Sequence, residues 1–295
     1  MNIAQLLAEG RALGLDRLDA QLLLLQALGR GSQDRGWLLA HDADAVTDAA
    51  RQVFLRLGER RVGGEPLAYI VGRKEFFGID LMVDPRVLVP RPDTEVLVEW
   101  ALEILGRRPG PGGGTEAGTT AAALAGGPPA PRVVDLGTGS GAIALAIKKH
   151  LPEALVEAVD CSSQALEVAL ANAKALALEV RFRQASWLAG TTSRYDLIAG
   201  NPPYVAAGDP HLAALRHEPL QALAAGPDGL QDLRAIVSQS PARLRPGGWL
   251  LLEHGFDQAP AVRKLLAAAG FQAVASRADL GGIERCSGGV WPDLG

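Results

Sequence analysis

Between Tyr195 and Tyr204 the chain reads Tyr-Asp-Leu-Ile-Ala-Gly-Asn-Pro-Pro-Tyr, residue types that together can hold a planar NH2 group. The apolar run Leu197-Ile198-Ala199 predicts a buried strand, and the prolines end it because they cannot donate to a sheet ladder. Each proline also drives the residue before it out of the helical region, so Asn201 and Pro202 are expected to be extended and comparatively rigid. The Asn201 side-chain carbonyl and the Pro202 backbone carbonyl are then free of secondary structure. With Pro203 they form two acceptors at fixed spacing beside the ring of Tyr204. The ordinary alternative is a rigid turn after a strand, with Tyr204 packed on the core.

A second cluster lies upstream. Arg132–Leu136 is a short β-branched run followed by Gly137-Thr138-Gly139-Ser140-Gly141 and a helical stretch, Ala142–His150. Strand, glycine loop and helix in that order open a nucleotide-binding α/β sheet, and glycines let a backbone approach a ligand closely. The next strand, 155–159, ends in Asp160, roughly 20 residues past the loop, where an acid binds ribose hydroxyls in such folds. Asp160 could equally cap the following helix. Trp187 falls just beyond a strand at 179–183, placed to flank an adenine or to cover the core. Four strands thus carry candidate ligand residues at their C-terminal ends, the edge on which this topology places its crevice.

The elements that must position these residues follow the same alternation. Helix 163–176 separates the strands bearing Asp160 and Trp187. Beyond the Asn-Pro-Pro-Tyr stretch, 205–229 is a long loop with His211, His217-Glu218-Pro219 and Asp228-Gly229, suited to a lid. Helix 230–244, a turn at Arg245-Pro246-Gly247-Gly248, strand 249–253, helix 259–269 and strand 271–277 complete the pattern. Residues 1–62 have helical spacing of leucines and valines broken by Gly10, Gly14, Gly29, Gly31 and Gly36, with Asp16 and Thr47 as N-caps, which predicts a small helical bundle. Such a bundle either caps the fold or docks a partner. Residues 63–90 read as extended, with 67–71 and 75–83 around Gly72 and Gly78 forming a hairpin linker. Pro90-Arg91-Pro92-Asp93-Thr94-Glu95 is a rigid turn in which Asp93 or Thr94 caps helix 95–105, and Arg91 either holds the turn or faces the site. The 106–131 segment, rich in Gly, Pro, Ala and Thr, is expected to be a flexible loop.

Composition narrows the chemistry. The 295 residues can bury a sizeable core, and a formal net charge of −4 gives no general footprint for nucleic acid. Two cysteines, Cys161 and Cys286, have no metal-ligand spacing, and no two-His metal spacing occurs among His211, His217 and His254. No metal is expected. There is no apolar run of membrane-spanning length and no signal core, so a cytoplasmic protein with no membrane contact is expected.

With Pro90-Arg91-Pro92-Asp93-Thr94-Glu95, Asp135-Leu136-Gly137-Thr138-Gly139-Ser140-Gly141, Asn201-Pro202-Pro203-Tyr204 and Leu251-Leu252-Glu253-His254-Gly255 in this order, the chain resembles the peptide chain release factor glutamine methyltransferases, the PrmC/HemK family. The resemblance covers nearly the whole chain. It implies a Rossmann-like, class I S-adenosylmethionine-dependent methyltransferase sheet at 91–295, joined by the 63–90 β-hairpin linker to an N-terminal helical substrate-docking domain at 1–62. It further implies methyl transfer from S-adenosyl-L-methionine to the side-chain amide of the glutamine in the Gly-Gly-Gln motif of bacterial release factors. Carried over by position, Gly137, Thr138, Gly139, Ser140 and Gly141 would wrap the methionine and ribose end of the cofactor, Asp160 would bind ribose hydroxyls, and Trp187 would border the adenine. Asn201 would sit between cofactor and substrate, and Pro202, Pro203 and Tyr204 would complete the substrate site. Ser186 stands where the family usually shows Asp, so an acidic contact to adenine is not carried over. Two rival readings remain: a DNA or RNA amino-methyltransferase, since the motif can hold a flipped adenine's NH2, and an inactive translation-factor adaptor. The acidic balance argues against direct DNA binding.

Overall fold

The computed structural model describes residues 1–106 and 129–293; most of the 106–131 segment expected to be a flexible loop lies outside the described residues. The N-terminal part is a helical bundle of α1 (Ile3–Ala12), α2 (Arg17–Ala27), α3 (Arg35–Ala40), α4 (Asp48–Val62) and α5 (Leu67–Val71). Asp16 and Thr47 cap α2 and α4 as expected, and Asn2 with Gln5 forms a capping box on α1. Leu6, Leu23, Leu24, Leu25, Phe54 and Ile70 fill its core. Gly10 does not break a helix; it lies inside α1, where a Cβ would stand 2.6 Å from the Phe54 ring.

Residues 67–71, expected to be extended, are α5. Tyr, Ile and Val favour strands only weakly, and here burial of Ile70 in the bundle core decides the conformation. Gly72, left-handed at φ 74°, ends the helix. The hairpin follows as β1 (Arg73–Phe76) and β2 (Ile79–Met82), paired antiparallel with Phe76 opposite Ile79. Its two-residue loop has positive φ at both Phe77 and Gly78, the twist that suits a tight hairpin.

A 3-10 turn at Pro92–Thr94 leads directly into α6 (Glu95–Gly106). The remaining elements alternate: β3 (Arg132–Leu136), α7 (Ala142–His150), β4 (Leu155–Asp160), α8 (Ser163–Ala175), β5 (Arg181–Gln184), β6 (Tyr195–Gly200), α9 (Gln231–Gln239), β7 (Leu244–Glu253), α10 (Ala259–Ala268), β8 (Gln272–Ala278) and β9 (Glu284–Val290). They build a seven-stranded sheet in the order β5-β4-β3-β6-β7-β9-β8, with β9 antiparallel to its neighbours. Strand order reverses beside β3, which places a ligand crevice at the carboxyl ends of β3, β4 and β6.

Register sharpens that statement. Leu136 is opposite both Val159 and Gly200, so Gly137, Asp160 and Asn201, the next residues of three strands, emerge side by side. Gly200 is required there because a Cβ would lie 2.8 Å from the Leu136 carbonyl oxygen. β6 is buried throughout, as its apolar run predicts.

Two boundaries differ from expectation. The helix expected over 230–244 stops at Gln239, Pro241 lying in a 3-10 turn at Ser240–Arg243. The Arg245-Pro246-Gly247-Gly248 turn is instead part of β7, beside a register shift between Tyr195 and Leu197. The 205–229 segment contains 3-10 turns at Pro210–Leu215 and Leu220–Ala222. No helix among the described residues is long and apolar enough to cross a membrane.

Candidate active site

The glycine loop is held from behind. Gly137 and Thr138 donate their backbone N–H groups to the Val159 carbonyl at 2.8 and 3.0 Å. Thr138 Oγ1 donates to Asp135 Oδ2 at 2.6 Å, and the same oxygen accepts from the Ala144 N–H at 3.1 Å. Asp135 is fully buried with Oδ1 unpartnered, and burial pushes its carboxyl up to about 7. Gly137, Gly139 and Gly141 all have left-handed φ, which a side chain would resist.

Asp160 accepts the Gly139 N–H at Oδ2 and the Ser162 N–H at Oδ1, both at 2.9 Å. It is not the cap of α8; Ser162 is. The carboxylate is therefore fixed at the tip of β4 while retaining lone pairs for a further donor.

These residues open onto a cleft lined by Gly137, Gly139, Asp160, Trp187, Asn201 and Pro203, among others. Pro219, Gln221 and Ala222 line it too, so the 205–229 segment covers this cleft as a lid would. Thr138, Ser140 and Gly141 are not part of the lining: Thr138 and Ser140 are buried, and Ser140 passes its carbonyl to Asn172 at 2.9 Å. Trp187 has φ 50°, and its ring lies so near the loop that a Cβ on Gly137 would be 3.3 Å away. Asp232, an acid in the first turn of α9, also lines the cleft, and burial pushes its carboxyl up. The motif gave no sign of Asp232. It brings a carboxylate to the Trp187 side of a cleft where Ser186 supplies none.

The Asn-Pro-Pro-Tyr stretch also reaches the loop, the Asn201 carbonyl oxygen lying 3.9 Å from where a Cβ on Gly137 would stand, and its support comes from two other segments. Asn201 Nδ2 donates to Thr94 Oγ1 at 3.2 Å. Tyr204 Oη donates to Glu253 Oε1 at 3.3 Å. Thr94 is 4% and Glu253 2% exposed, and Glu253 Oε2 has no partner. Burial pushes the Glu253 carboxyl up to about 7, and the Tyr204 phenol is raised well above its ordinary range by the same desolvation. The Tyr204 backbone carbonyl accepts from Gln258 Nε2 at 3.0 Å. Among the described hydrogen bonds none is accepted by Asn201 Oδ1 or the Pro202 carbonyl. Thr94 thus serves Asn201, not a helix cap.

Arg91 neither faces the cleft nor merely holds its own turn. Its Nη2 donates to Glu218 Oε1 at 2.5 Å, while Glu218 Oε2 accepts the Val89 N–H at 3.2 Å, which ties the 205–229 segment down. Arg216 of that segment donates to the Gly63 carbonyl beside the helical bundle. His254 is buried against Ser287 Oγ at 2.7 Å and the Gly255 carbonyl, and desolvation lowers its pKa. It has no access to the cleft lining.

An anchored carboxylate, a backbone loop stripped of side chains and an aromatic wall fit a nucleoside with a polar tail. Relatives agree with the geometry. Residues 2–72 match the family model of the PrmC N-terminal domain, and residues 122–226 that of the methyltransferase small domain. A release factor glutamine methyltransferase of Bordetella pertussis is 47% identical over 280 residues, 94% of this chain and 95% of that one. One from Xylella fastidiosa (strain Temecula1) is 45% identical over 282 residues, 94% of each. Among solved structures, a methyltransferase from Pyrococcus furiosus covers 80% of this chain and 98% of its own at a TM-score of 0.52 and 16% identity, a likeness of fold. With its class I methyltransferase sheet, which takes its methyl group from S-adenosylmethionine, the chain belongs to the release factor glutamine methyltransferase family.

Proposed function

We propose that this protein transfers the methyl group of S-adenosyl-L-methionine to the side-chain amide nitrogen of the glutamine in the Gly-Gly-Gln motif of bacterial peptide chain release factors. The observation that carries this reading is the state of Asn201. Its NH2 is engaged by Thr94 at 3.2 Å, so its carbonyl oxygen, beside the Pro202 carbonyl, is left for a donor entering the cleft.

A carboxamide nitrogen is a poor nucleophile because its lone pair is delocalised into the carbonyl. When bound, S-adenosylmethionine supplies a methyl group already activated on a sulfonium. The protein's task is then orientation, which can remove several kcal/mol from a barrier. Asn201 Oδ1 and the Pro202 carbonyl accept the two N–H bonds of the substrate amide and aim its nitrogen. They favour the transition state, in which that nitrogen becomes more positive. No general base is needed, since the protonated N-methyl amide is a very strong acid that loses its proton to water. The buried His254 fits this assignment. Pro203 walls the cleft, and Tyr204, held by Glu253, backs the motif and helps exclude water.

For the cofactor, Asp160 holds the ribose hydroxyls, Gly137 and Gly139 present backbone to it, and Trp187 borders the adenine. Thr138, Ser140 and Gly141 shape the loop. We assign residues 1–62 to docking of the release factor, 63–90 to the linker and 91–295 to the methyltransferase unit, in a cytoplasmic enzyme.

The test is incubation of the purified protein with methyl-labelled S-adenosylmethionine and a folded bacterial release factor, in parallel with the same factor carrying Gln→Ala in its Gly-Gly-Gln loop and with DNA. Label on the intact factor alone supports glutamine methylation. Label on DNA moves the assignment to nucleic acid, and no label anywhere supports a non-catalytic adaptor.

A further inference from the structure

Among the described residues, two carboxyls and one guanidinium line the cleft: Asp160, Asp232 and Arg86. Arg86 is turned to Asp84 and Glu167, and Asp160 is fixed by the Gly139 and Ser162 N–H groups. Methyl transfer as derived above gives Asp232 no task. Its helix says where it stands. Further along α9, Gln239 Oε1 accepts the Leu188 N–H at 3.2 Å, and Ile236 is buried in the apolar cluster that holds Leu188 and packs against Trp187. Positions 232, 236 and 239 are spaced i, i+4 and i+7, which is one face of a helix. Asp232 therefore belongs to the face of α9 that lies on the 185–188 stretch, at the end of it that opens into the cleft.

The order of the strands fixes which part of a nucleoside comes there. β4 delivers Asp160, β3 the glycine loop and β6 Asn201, all toward one side. β5 lies on the other side of β4, at the sheet edge, with Gln184 opposite Asp160 and the Ala185 N–H on the Asp160 carbonyl at 3.0 Å. A methyl donor whose ribose is held at Asp160 and whose sulfonium faces Asn201 extends its base the opposite way, over the end of β5, to Trp187 and Asp232. The adenine edge carries one donor, its 6-amino group, among ring nitrogens that accept. An ionised carboxylate only accepts, so it complements that group alone, and binding the donor favours the ionised form. Ser186, beside it in the lining, has a hydroxyl that donates or accepts and so does not discriminate.

We infer that Asp232 reads the base: its carboxylate accepts the 6-amino group of adenine and makes the cleft selective for an adenosyl cofactor. The inference rests on the reading of Asp160 as the holder of the ribose and Trp187 as the wall beside the base. A carboxyl that only supported the Trp187 wall would serve any purine equally.

The test is calorimetric binding, on the full chain, of S-adenosylhomocysteine and of its analogue in which the 6-amino group is replaced by hydrogen. Wild type, Asp232→Ala and Asp232→Ser are compared; the serine is too short to reach the base and suits the first turn of a helix. In the wild type, loss of the amino group is expected to weaken binding by roughly 10- to 100-fold, the scale of a hydrogen bond to a charged group. In both variants S-adenosylhomocysteine should bind more weakly by a similar factor, and the two ligands should then differ by less than about threefold. A wild type that binds both ligands alike, or variants that keep the wild-type ratio while both affinities fall, would overturn the assignment, the second result marking Asp232 as a support of the wall. Binding of neither ligand by the wild type would instead bring down the cofactor reading on which the inference stands.

Discussion

Replacing Glu253 with glutamine is expected to remove part of the pH dependence of folding. The carboxyl is fully buried, and desolvation lifts its pKa from 4.5 to about 7 against the nearby Thr94 and Tyr204 hydroxyls and the positive charge of Arg285; Asp93 adds to the rise. The native state therefore binds a proton that the unfolded state has released between these two values. Stability contributed by this group is present at low pH, falls as pH rises through the window, and is fully lost above about 7. The shift of about 2.5 units, at 1.36 kcal/mol per unit, sets a ceiling of about 3 kcal/mol, and the share falling between pH 5 and pH 8 is about 2–3 kcal/mol. Asp135 titrates in the same range, so the wild type alone does not isolate the effect. The difference between Glu253→Gln and wild type does. Urea unfolding of both proteins at pH 5 and pH 8, at matched ionic strength, should show the variant gaining about 2–3 kcal/mol relative to wild type on going to pH 8. A difference independent of pH, or one moving the other way, would refute the reasoning that Glu253 is a buried acid held near neutrality.

Two other outcomes follow from the same geometry. Gly200→Ala places a Cβ 2.8 Å from the Leu136 carbonyl at the β3–β6 contact and should destabilise the protein by about 1–3 kcal/mol, read as a lower urea midpoint. Asp160→Ala removes the anchor of the Gly139 N–H and the ribose acceptor together, and should weaken S-adenosylhomocysteine binding by roughly 10- to 100-fold in calorimetry; unchanged affinity would remove Asp160 from the cofactor site.

What could be read from the sequence was what is local. Gly137 to Gly141 and Asn201 follow directly on a strand, Asp160 ends one and Trp187 lies shortly beyond one, and the register of β3, β4 and β6 brings the ends of those strands together. Partners distant in the chain were not readable. Thr94 looked like a helix cap because its neighbours are turn residues, and its bond to Asn201 exists only in three dimensions. Glu253 lay in a motif without a role, and Asp232 reaches the cleft from a helix whose sequence shows no ligand pattern. β9 went unrecognised because Glu-Arg-Cys-Ser-Gly-Gly-Val lacks an apolar run; it is a strand because it pairs with both β7 and β8. There a Cβ on Gly288 would stand 2.4 Å from the Leu251 side chain, so glycine is a requirement of packing. At 67–71 the strand-favouring residues were overridden by the helical bundle that buries Ile70.

The most direct test of the account is Asn201→Ala, with single-turnover methyl transfer to a release factor and S-adenosylhomocysteine affinity measured on the same preparation. Asn201 lines the cleft through an amide fixed by Thr94, so turnover should fall by roughly 100-fold or more while affinity stays within about threefold. Equal losses in both would mean that Asn201 only builds the cofactor pocket, and the assignment of the substrate amide to its carbonyl would be contradicted.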